Sequence, residues 1–325
     1  MSYSVNFAIF WILMRIYSCQ DCTLPAETFG TWESPSLGTV TISGSTPSLT
    51  FTRTFTGQTV TVNEMKCHEI SGSKYILIST IGVDTFSGND QVFLWMCVEF
   101  IQASLYSYYF YLHSEVEAGF DGYRLYGGPS DTTLTADVCS STPDMSEFHT
   151  MIKTGNEMDA VNAVECPDPL LGTFIYNITD STGTYCGGVD TTTVNACDAA
   201  TERTHVHVDN TGCTSKIPFH STGGQLGCIV SIASTGTSYA SLYNLDASPS
   251  VQFICVVITE ETDSTYLSYI AGDCESGQTA TTLLTGGATM ILTKQVSCKL
   301  RQASQTLKFV NGCVVTFPPC LQSIN

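Results

Sequence analysis

Two similar stretches, Gly30-Thr31-Trp32 and Leu171-Gly172-Thr173-Phe174, open the two halves of this chain. Each stretch lies a few residues after a cysteine and at least one proline, and each begins a long series of segments in which apolar and polar residues alternate. Alternation with a period of two is typical of a half-buried β-strand. The sequence therefore predicts one β-rich unit that is used twice.

The composition of the chain favours strands and argues against several classes of partner. Charged residues make up 13% of the 325 residues, and threonine, serine and glycine are frequent, which favours strands and turns over surface helices. The 12 basic and 30 acidic residues give a formal net charge of −18. Nucleic acids and anionic membranes repel such a chain, so neither is an expected partner. We also expect no membrane span in the mature chain.

Residues 1–19 are predicted to be a secretory signal peptide. The apolar run from Phe7 to Met14 is far shorter than the roughly 20 residues needed to cross a bilayer, and small residues follow it. No lysine or arginine precedes the run, so a buried N-terminal strand or a signal anchor is the alternative. Cleavage is expected after Ser18 or Cys19, and the protein is predicted to be secreted and extracellular.

The cysteines of the chain agree with export into an oxidising compartment. There are 15, and they are spread along the chain without the paired C-x-x-C spacing of a zinc site, apart from Cys19 and Cys22 at the cleavage region. The sequence leaves their pairing open. The cysteines predicted to form disulfides are Cys22, Cys67, Cys97, Cys139, Cys166, Cys186, Cys197, Cys213, Cys228, Cys255, Cys274, Cys298, Cys313 and Cys320.

The strand patterns predict an all-β fold of two tandem antiparallel meanders, each barrel-like or sandwich-like and stapled by disulfides. The first cysteine-rich domain is assigned to residues 20–143, and the second to residues 166–325 with extra strands at its C-terminal end. Residues 144–165 lose the strand pattern and are predicted to be a linker. Within that linker we expect one short amphipathic helix between Met145 and Ile152.

The order of landmarks in the two halves indicates a duplication. Cys97 and the tyrosine-rich strand after it, Tyr106 to Leu112, resemble Cys228 and the segment Tyr239 to Leu245. The residues from Thr265 onward are either the closing strands of the second unit or the start of a third, shortened unit.

The first unit resembles the lipocalins, because Gly30-Thr31-Trp32 lies on the first strand of an antiparallel meander. The resemblance implies an eight-stranded barrel in which Trp32 closes one end, with Arg124 from a late strand packed on its ring as a cation–π pair. It also implies a cavity for a small apolar ligand behind Trp32, and the alternative is that Trp32 is simply a core aromatic residue. The residues expected to line such a cavity are Val40, Ile42, Tyr108 and Phe110.

The whole arrangement is similar to a group of uncharacterised invertebrate proteins, secreted or membrane-anchored, that are built from tandem cysteine-rich domains of unknown function. The similarity rests on Gly30-Thr31-Trp32 and on a second opening, Cys166-Pro167-Asp168-Pro169-Leu170-Leu171-Gly172-Thr173-Phe174. It implies that Gly30, Trp32, Gly172 and Phe174 are structural residues. It transfers no chemical activity.

Few residues of the chain point to specific chemistry. Asn177-Ile178-Thr179 is an N-glycosylation sequon. His205 and His207 lie on one face of a predicted strand and form a weak candidate for a metal site, while a polar face of an edge strand is the alternative. The sequence contains no G-x-S-x-G, no H-E-x-x-H and no phosphate loop. We therefore expect no enzymatic activity, no cofactor and no metal.

Three classes of function are compatible with these predictions. The first is a secreted, non-enzymatic interaction or structural protein that binds an extracellular protein or itself. The second is a lipocalin-like carrier of small apolar ligands. The third is a glycan-binding module, in which exposed tyrosines between Tyr106 and Tyr111 would contact the sugar.

Overall fold

The chain folds into two compact units; apart from residues 103–107, which are grouped with the second unit, they divide between Gly155 and Asn156. Among the described residues, no helix has the length and the apolar character needed to cross a membrane. The predicted signal peptide lies outside the described residues. The computed structural model describes residues 22–44, 48–52, 54–55, 58–62, 64–84, 91–120, 122–130, 135–187, 192–196, 203–262, 264–297, 309–310 and 313–314.

The first unit is an eight-stranded antiparallel barrel with short additional strands. The barrel contains β1, β2, β3, β6, β7, β9, β10 and β14 in that order, and β14 closes it by pairing with β1. This closure removes the open edges that a meander of this length would otherwise expose. The strands are β1 (Gly30–Ser34), β2 (Gly38–Ser43), β3 (Ser48–Thr50), β4 (Thr54–Phe55), β5 (Gln58–Thr61), β6 (Met65–Ser71), β7 (Lys74–Ser79), β8 (Val83–Asp84), β9 (Gln91–Gln102), β10 (Ser107–Leu112), β11 (Val116–Glu117), β12 (Tyr123–Arg124), β13 (Tyr126–Gly128) and β14 (His149–Lys153), with a short helix α1 (Thr135–Val138).

The second unit is also an eight-stranded antiparallel barrel, made of β15 and β17 to β23, and β23 closes it by pairing with β15. The residues from Thr265 to Ser297 therefore supply its closing strands. A helix, α2 (Glu157–Ala163), precedes the barrel. The strands are β15 (Gly172–Asp180), β16 (Gly183–Tyr185), β17 (Thr193–Asn195), β18 (His205–Asp209), β19 (Gln225–Ser234), β20 (Thr237–Asn244), β21 (Phe253–Glu260), β22 (Ser264–Ala271), β23 (Ala288–Ser297), β24 (Phe309–Val310) and β25 (Cys313–Val314).

The described disulfides confirm ten of the predicted disulfide cysteines. Cys197, Cys298 and Cys320 lie outside the described residues, and of Cys313 only the backbone is described. The disulfides are Cys22–Cys67, Cys97–Cys139, Cys166–Cys228, Cys186–Cys213 and Cys255–Cys274.

The two barrels correspond strand for strand, and so do two of their disulfides. In each unit one disulfide joins the segment before the first strand to the fourth barrel strand, β6 or β19. A second disulfide joins the sixth barrel strand, β9 or β21, to the long connection before the last strand. Cys97 therefore corresponds to Cys255, and the predicted match with Cys228 is wrong. The sequence is ambiguous here because the second unit contains two successive pairs of strands of that type, β19–β20 and β21–β22.

The segment predicted to be a linker, residues 144–165, contributes to both units. Its strand β14 pairs with β1, which places Lys153 opposite Trp32, so the amphipathic helix expected before Ile152 is wrong. The local helical spacing is overridden by pairing with a strand from the start of the unit. The helix α2 instead packs on β19, where a Cβ on Gly227 would lie 2.2 Å from Cγ1 of Val161. Gly227 thus provides the space that this helix needs.

Candidate functional site

Trp32 is a core residue at the start of the first barrel. Its ring is fully buried, its Nε1 donates a hydrogen bond of 2.7 Å to the carbonyl oxygen of Thr28, and it meets Tyr108 edge to face at 5.4 Å. Thr28 ends a short 3₁₀ helix that begins at Ala26. The tryptophan therefore attaches this helix to the barrel.

The cation over Trp32 is a lysine, and the predicted pairing with Arg124 is wrong. Nζ of Lys153 lies 5.6 Å from the centre of the Trp32 ring. The guanidinium of Arg124 instead donates to the carbonyl oxygen of Ser114 and the hydroxyl of Ser141, at 3.0 and 2.9 Å, and pairs with Glu147 at 2.7 Å. Arg124 thus ties together the long connection between β10 and β14.

The described inward-facing side chains of the first barrel form a hydrophobic core. The residues expected to line a ligand cavity are all buried and pack with Trp32 in a single cluster. Tyr109 and Tyr111, on the other face of β10, also make protein contacts. Tyr109 meets the buried ring of Phe148 at 6.0 Å, and the hydroxyl of Tyr111 donates to the carbonyl oxygen of Met145. The cavity-lining residues in that cluster are Val40, Ile42, Tyr108 and Phe110.

Phe174 occupies the position of Trp32 in the second barrel and is likewise fully buried. A 3₁₀ helix, Asp168–Leu170, precedes it, and Leu170 enters the core. A Cβ on Gly172 would lie 2.7 Å from the ring of Phe174 and 2.9 Å from the carbonyl oxygen of Val296. Gly172 is therefore required by the close packing of the barrel at this point.

His205 and His207 lie on the outward face of β18, since Val206 and Val208 enter the core. The two rings are stacked at 6.4 Å, and Nδ1 of the buried His205 is 2.8 Å from the hydroxyl of Thr204. Within the part of the chain that the structure describes, no group of three or more potential ligand side chains surrounds them. The geometry is that of two packed imidazoles on a strand.

The far end of the second barrel, where β18 passes into β19, contains the most unusual backbone of the described chain. We call it the loop end and define it by residues 180–187, 210–224 and 244–252. Phe219 and His220 both adopt the left-handed region, with φ of 50° and 54°, which is unfavourable for residues with a Cβ. The strained turn inserts the fully buried Phe219 into the core, where its ring lies 4.7 Å from that of Tyr269.

The titratable groups under this turn are held in their uncharged forms. Burial raises the pKa of both Tyr176 and Tyr269 to about 12. Burial also lowers the pKa of His220, whose ring meets that of Tyr269 edge to face at 5.9 Å. All three side chains are therefore neutral at pH 7, as a packed interior requires.

Covalent and ionic contacts fasten the loops of the loop end to one another. The Cys186–Cys213 disulfide joins the segment after β16 to the loop after β18. Nζ of Lys216 lies 2.6 Å from a carboxylate oxygen of Asp180 and 4.4 Å from the centre of the Tyr185 ring. The hydrogen bonds from Lys216 and Thr182 hold the pKa of Asp180 well below its usual range.

Asp246 binds the β18–β19 loop from the opposite side. Its carboxylate accepts hydrogen bonds from the hydroxyls of Ser221 and Thr222, at 3.0 and 3.1 Å, and from the backbone N–H groups of Thr222 and Gly223, at 2.7 and 3.1 Å. Burial raises the pKa of this carboxyl, but the hydrogen bonds outweigh burial and leave the pKa below its usual range. The carboxylate therefore favours the closed loop end only in its ionised form.

We expect Asp246→Asn to destabilise the second barrel at pH 7 by roughly 1 kcal/mol, because an amide replaces a charged acceptor at a partly exposed position. The folded-state pKa is lowered, so the stabilisation is fully present above the unfolded value of about 4 and is lost as the pH falls through the folded value. Urea unfolding at pH 7 and at pH 3 checks this. The difference in free energy of unfolding between wild type and variant should be smaller at pH 3 than at pH 7.

The exposed carboxylate of Glu261 provides the matched control for this experiment. Glu261→Gln removes the same charge without touching the loop end, and we expect little effect on unfolding at pH 7. A gap for Asp246→Asn that is the same at both pH values would contradict the proposed role of the ionised carboxylate.

Little in the sequence indicates how this end of the barrel is built. Asp246 lies in a turn-like run with Ser248 and Pro249, which predicts a loop but not the partner of its carboxylate. Phe219 gives no signal at all, since an aromatic residue at positive φ is selected only by tertiary packing. Asn177 of the sequon lies on the outward face of β15, beside a surface groove.

Comparisons of the chain with protein-family models, with curated proteins and with solved structures found no match. The class of protein is therefore defined by the fold alone. The fold is that of two tandem eight-stranded antiparallel barrels held by five described disulfides. A disulfide-rich fold of this kind suits an extracellular protein.

Proposed function

We propose that this protein is a secreted, non-enzymatic protein that binds another extracellular protein, or a second copy of itself, through the outer faces of its barrels. The observation that carries the proposal is that the inward-facing side chains described in both barrels are buried and pack into hydrophobic clusters. A filled barrel offers its outer surface for recognition and leaves its interior to stability. The disulfides support an oxidising, extracellular setting.

The packed interior gives less support to a carrier of small apolar ligands. Trp32 and the residues around it make contacts with one another where a ligand would need space. In the second barrel, Leu170 closes one end and Phe219 the other, and both are fully buried. A glycan-binding site built on tyrosines is also less supported, because Tyr109 packs against Phe148.

Native and denaturing mass spectrometry of protein secreted by an animal cell host test the proposal. We expect a chain without its first 18 or 19 residues, with oxidised cysteines and no small molecule that is retained natively and lost on denaturation. A retained small molecule would overturn the proposal in favour of the carrier. Free thiols throughout the chain, or an uncleaved leader, would overturn the extracellular assignment.

The salt dependence of association distinguishes the two kinds of partner. The net charge of −18 makes two copies repel each other, so self-association measured by analytical ultracentrifugation should strengthen when salt screens the charges. Binding to a basic protein surface should weaken under the same change. If the protein shows neither form of association and retains a ligand, the proposal of an interaction protein is contradicted.

A further inference from the structure

The outer face of the second barrel carries a groove between its first and last strands, β15 and β23. Its volume is about 240 Å³, and it is lined by Ile175, Tyr176, Asn177, Ile291 and Thr293. Ile291 and Thr293 are exposed, and 38% of Ile291 is accessible to solvent. The volume is below the roughly 300–1,000 Å³ of pockets that enclose drug-sized ligands, so the groove suits a single small ring.

Asn177 lines this groove with an amide whose oxygen has no hydrogen-bond partner among the described residues. Oδ1 of Asn177 is buried and accepts no hydrogen bond from the residues that the structure describes. A buried polar atom without a partner is unfavourable, and its presence calls for a group that the protein alone does not supply. Threonine is favoured in strands and asparagine is not. Thr173 and Thr179 occupy outward positions of the same strand, so asparagine at position 177 is not explained by strand formation alone.

The strand register places apolar side chains next to Asn177. Asn177 lies opposite Ile291 on β23, and Ile291 lies opposite Tyr266 on β22. Directly opposed residues have Cβ atoms about 4.5–5.5 Å apart, so the three outward side chains form a row across three strands. Asn177 and Thr179, the two residues that define the sequon, share this outward face, while Ile178 between them enters the core.

We propose that Asn177 carries an N-linked glycan and that the first sugar of this glycan lies in the groove, against Ile175 and Ile291. The hydroxyl and acetamido N–H groups of the sugar supply donors next to the buried amide oxygen, and its apolar ring face covers Ile291. Tyr266 lies where the second sugar would continue. This inference rests on the secretion that the proposed function includes.

The modification uses a lipid diphosphate-linked oligosaccharide as its co-reactant. Nδ2 of Asn177 attacks the anomeric carbon of the donor, a C–N bond forms, and the C–O bond to the diphosphate breaks. The lipid diphosphate leaves with the bonding electron pair, and the amide proton passes to a base of the transferring enzyme. No oxidation or reduction occurs. The reaction takes place on the chain before it folds, so the strand position of Asn177 does not prevent it.

The first test is occupancy of the full chain secreted from an animal cell host, read by intact mass. We expect one N-glycan on the wild type and on Thr179→Ser, which keeps the sequon, and none on Asn177→Gln. A secreted wild type without a glycan at Asn177 would overturn the inference. The chain is produced both with its own leader and with a foreign one. If the chain with its own leader stays inside the cell while the chain with the foreign leader is glycosylated at Asn177, secretion is overturned but the glycosylation site is not.

The second test asks whether the sugar lies in the groove. A peptide-N-glycosidase hydrolyses the side-chain amide bond between Cγ and Nδ2 of Asn177 and releases the sugar with its nitrogen, so a sugar seated in the groove hinders it. We expect release from the native protein to be roughly tenfold slower than from the denatured chain. Ile291→Thr, which keeps a β-branched residue on the strand, should remove most of this protection. Equal rates of release from native and denatured wild type would overturn the seating of the sugar.

The matched control is Val296→Thr on the same strand. Val296 is exposed to 60% and does not line the groove. It lies opposite Thr173, four residues before the glycosylated position. We expect Val296→Thr to leave the protection unchanged. Equal loss of protection in both variants would show that strand stability, and not contact with the sugar, slows the enzyme, and would overturn the proposed seating.

Discussion

Replacing Trp32 with alanine is expected to unfold the first barrel at much lower denaturant concentration than in the wild type. The change removes a fully buried indole, its hydrogen bond to Thr28 and its edge contact with Tyr108. Truncation of a buried tryptophan costs about 3–5 kcal/mol, a large part of the 5–15 kcal/mol that typically stabilises a domain. Urea unfolding followed by circular dichroism and intrinsic fluorescence measures the loss.

The second barrel provides the control for this prediction. It uses Phe174 where the first uses Trp32, so Trp32→Phe keeps an aromatic residue that the fold already accepts. We expect this variant to lose less stability than the alanine variant, mainly through the hydrogen bond to Thr28. The part of the transition that belongs to the second barrel should not move in either variant. Equal effects of phenylalanine and alanine would contradict the packing role of the ring.

The architecture of the chain follows from patterns that can be seen in the sequence. The alternation after Trp32 and after Phe174 predicts two antiparallel units, and the spread of the cysteines predicts disulfides. These predictions succeed because they depend on local spacing, which sets which side chains share a face of a strand. The burial of Trp32 and Phe174 confirms that both openings are structural.

The predictions that failed depend on contacts between distant parts of the chain. Lys153, and not Arg124, reaches Trp32 because β14 pairs with β1, and this pairing also turns an expected helix into a strand. The match of Cys97 with Cys228 failed because two pairs of strands in the second unit, β19–β20 and β21–β22, both resemble the pair β9–β10 of the first unit. The groove at Asn177 was invisible because its apolar wall, Ile291, comes from the last strand of the barrel.

Removal of the Cys166–Cys228 disulfide is expected to destabilise the second barrel by about 4 kcal/mol. The bond closes a loop with a sequence separation of 62 residues, and the gain from restricting the unfolded chain grows with the length of the loop. Both cysteines belong to the core, so the double variant Cys166→Ala with Cys228→Ala avoids a buried polar atom. Urea unfolding of the oxidised variant measures the change.

The Cys255–Cys274 disulfide is the matched comparison, because its cysteines are also buried but its sequence separation is only 19. The same chain-entropy argument gives a loss of about 3 kcal/mol for its double alanine variant. We therefore expect the Cys166–Cys228 variant to unfold first in urea. The reverse order would show that local packing around the sulfurs, and not the length of the closed loop, sets the contribution of these bonds.

The Cys166–Cys228 bond also determines how the second barrel responds to a mechanical load. Tension along the chain that enters at Cys166 crosses the disulfide to Cys228 and bypasses β15, β17 and β18, which lie inside the closed loop. The Cys255–Cys274 bond shields a further segment in the same way. Only the stretches outside these covalent loops lengthen when the barrel is pulled open. The disulfides therefore limit how far the second barrel can extend when it is pulled.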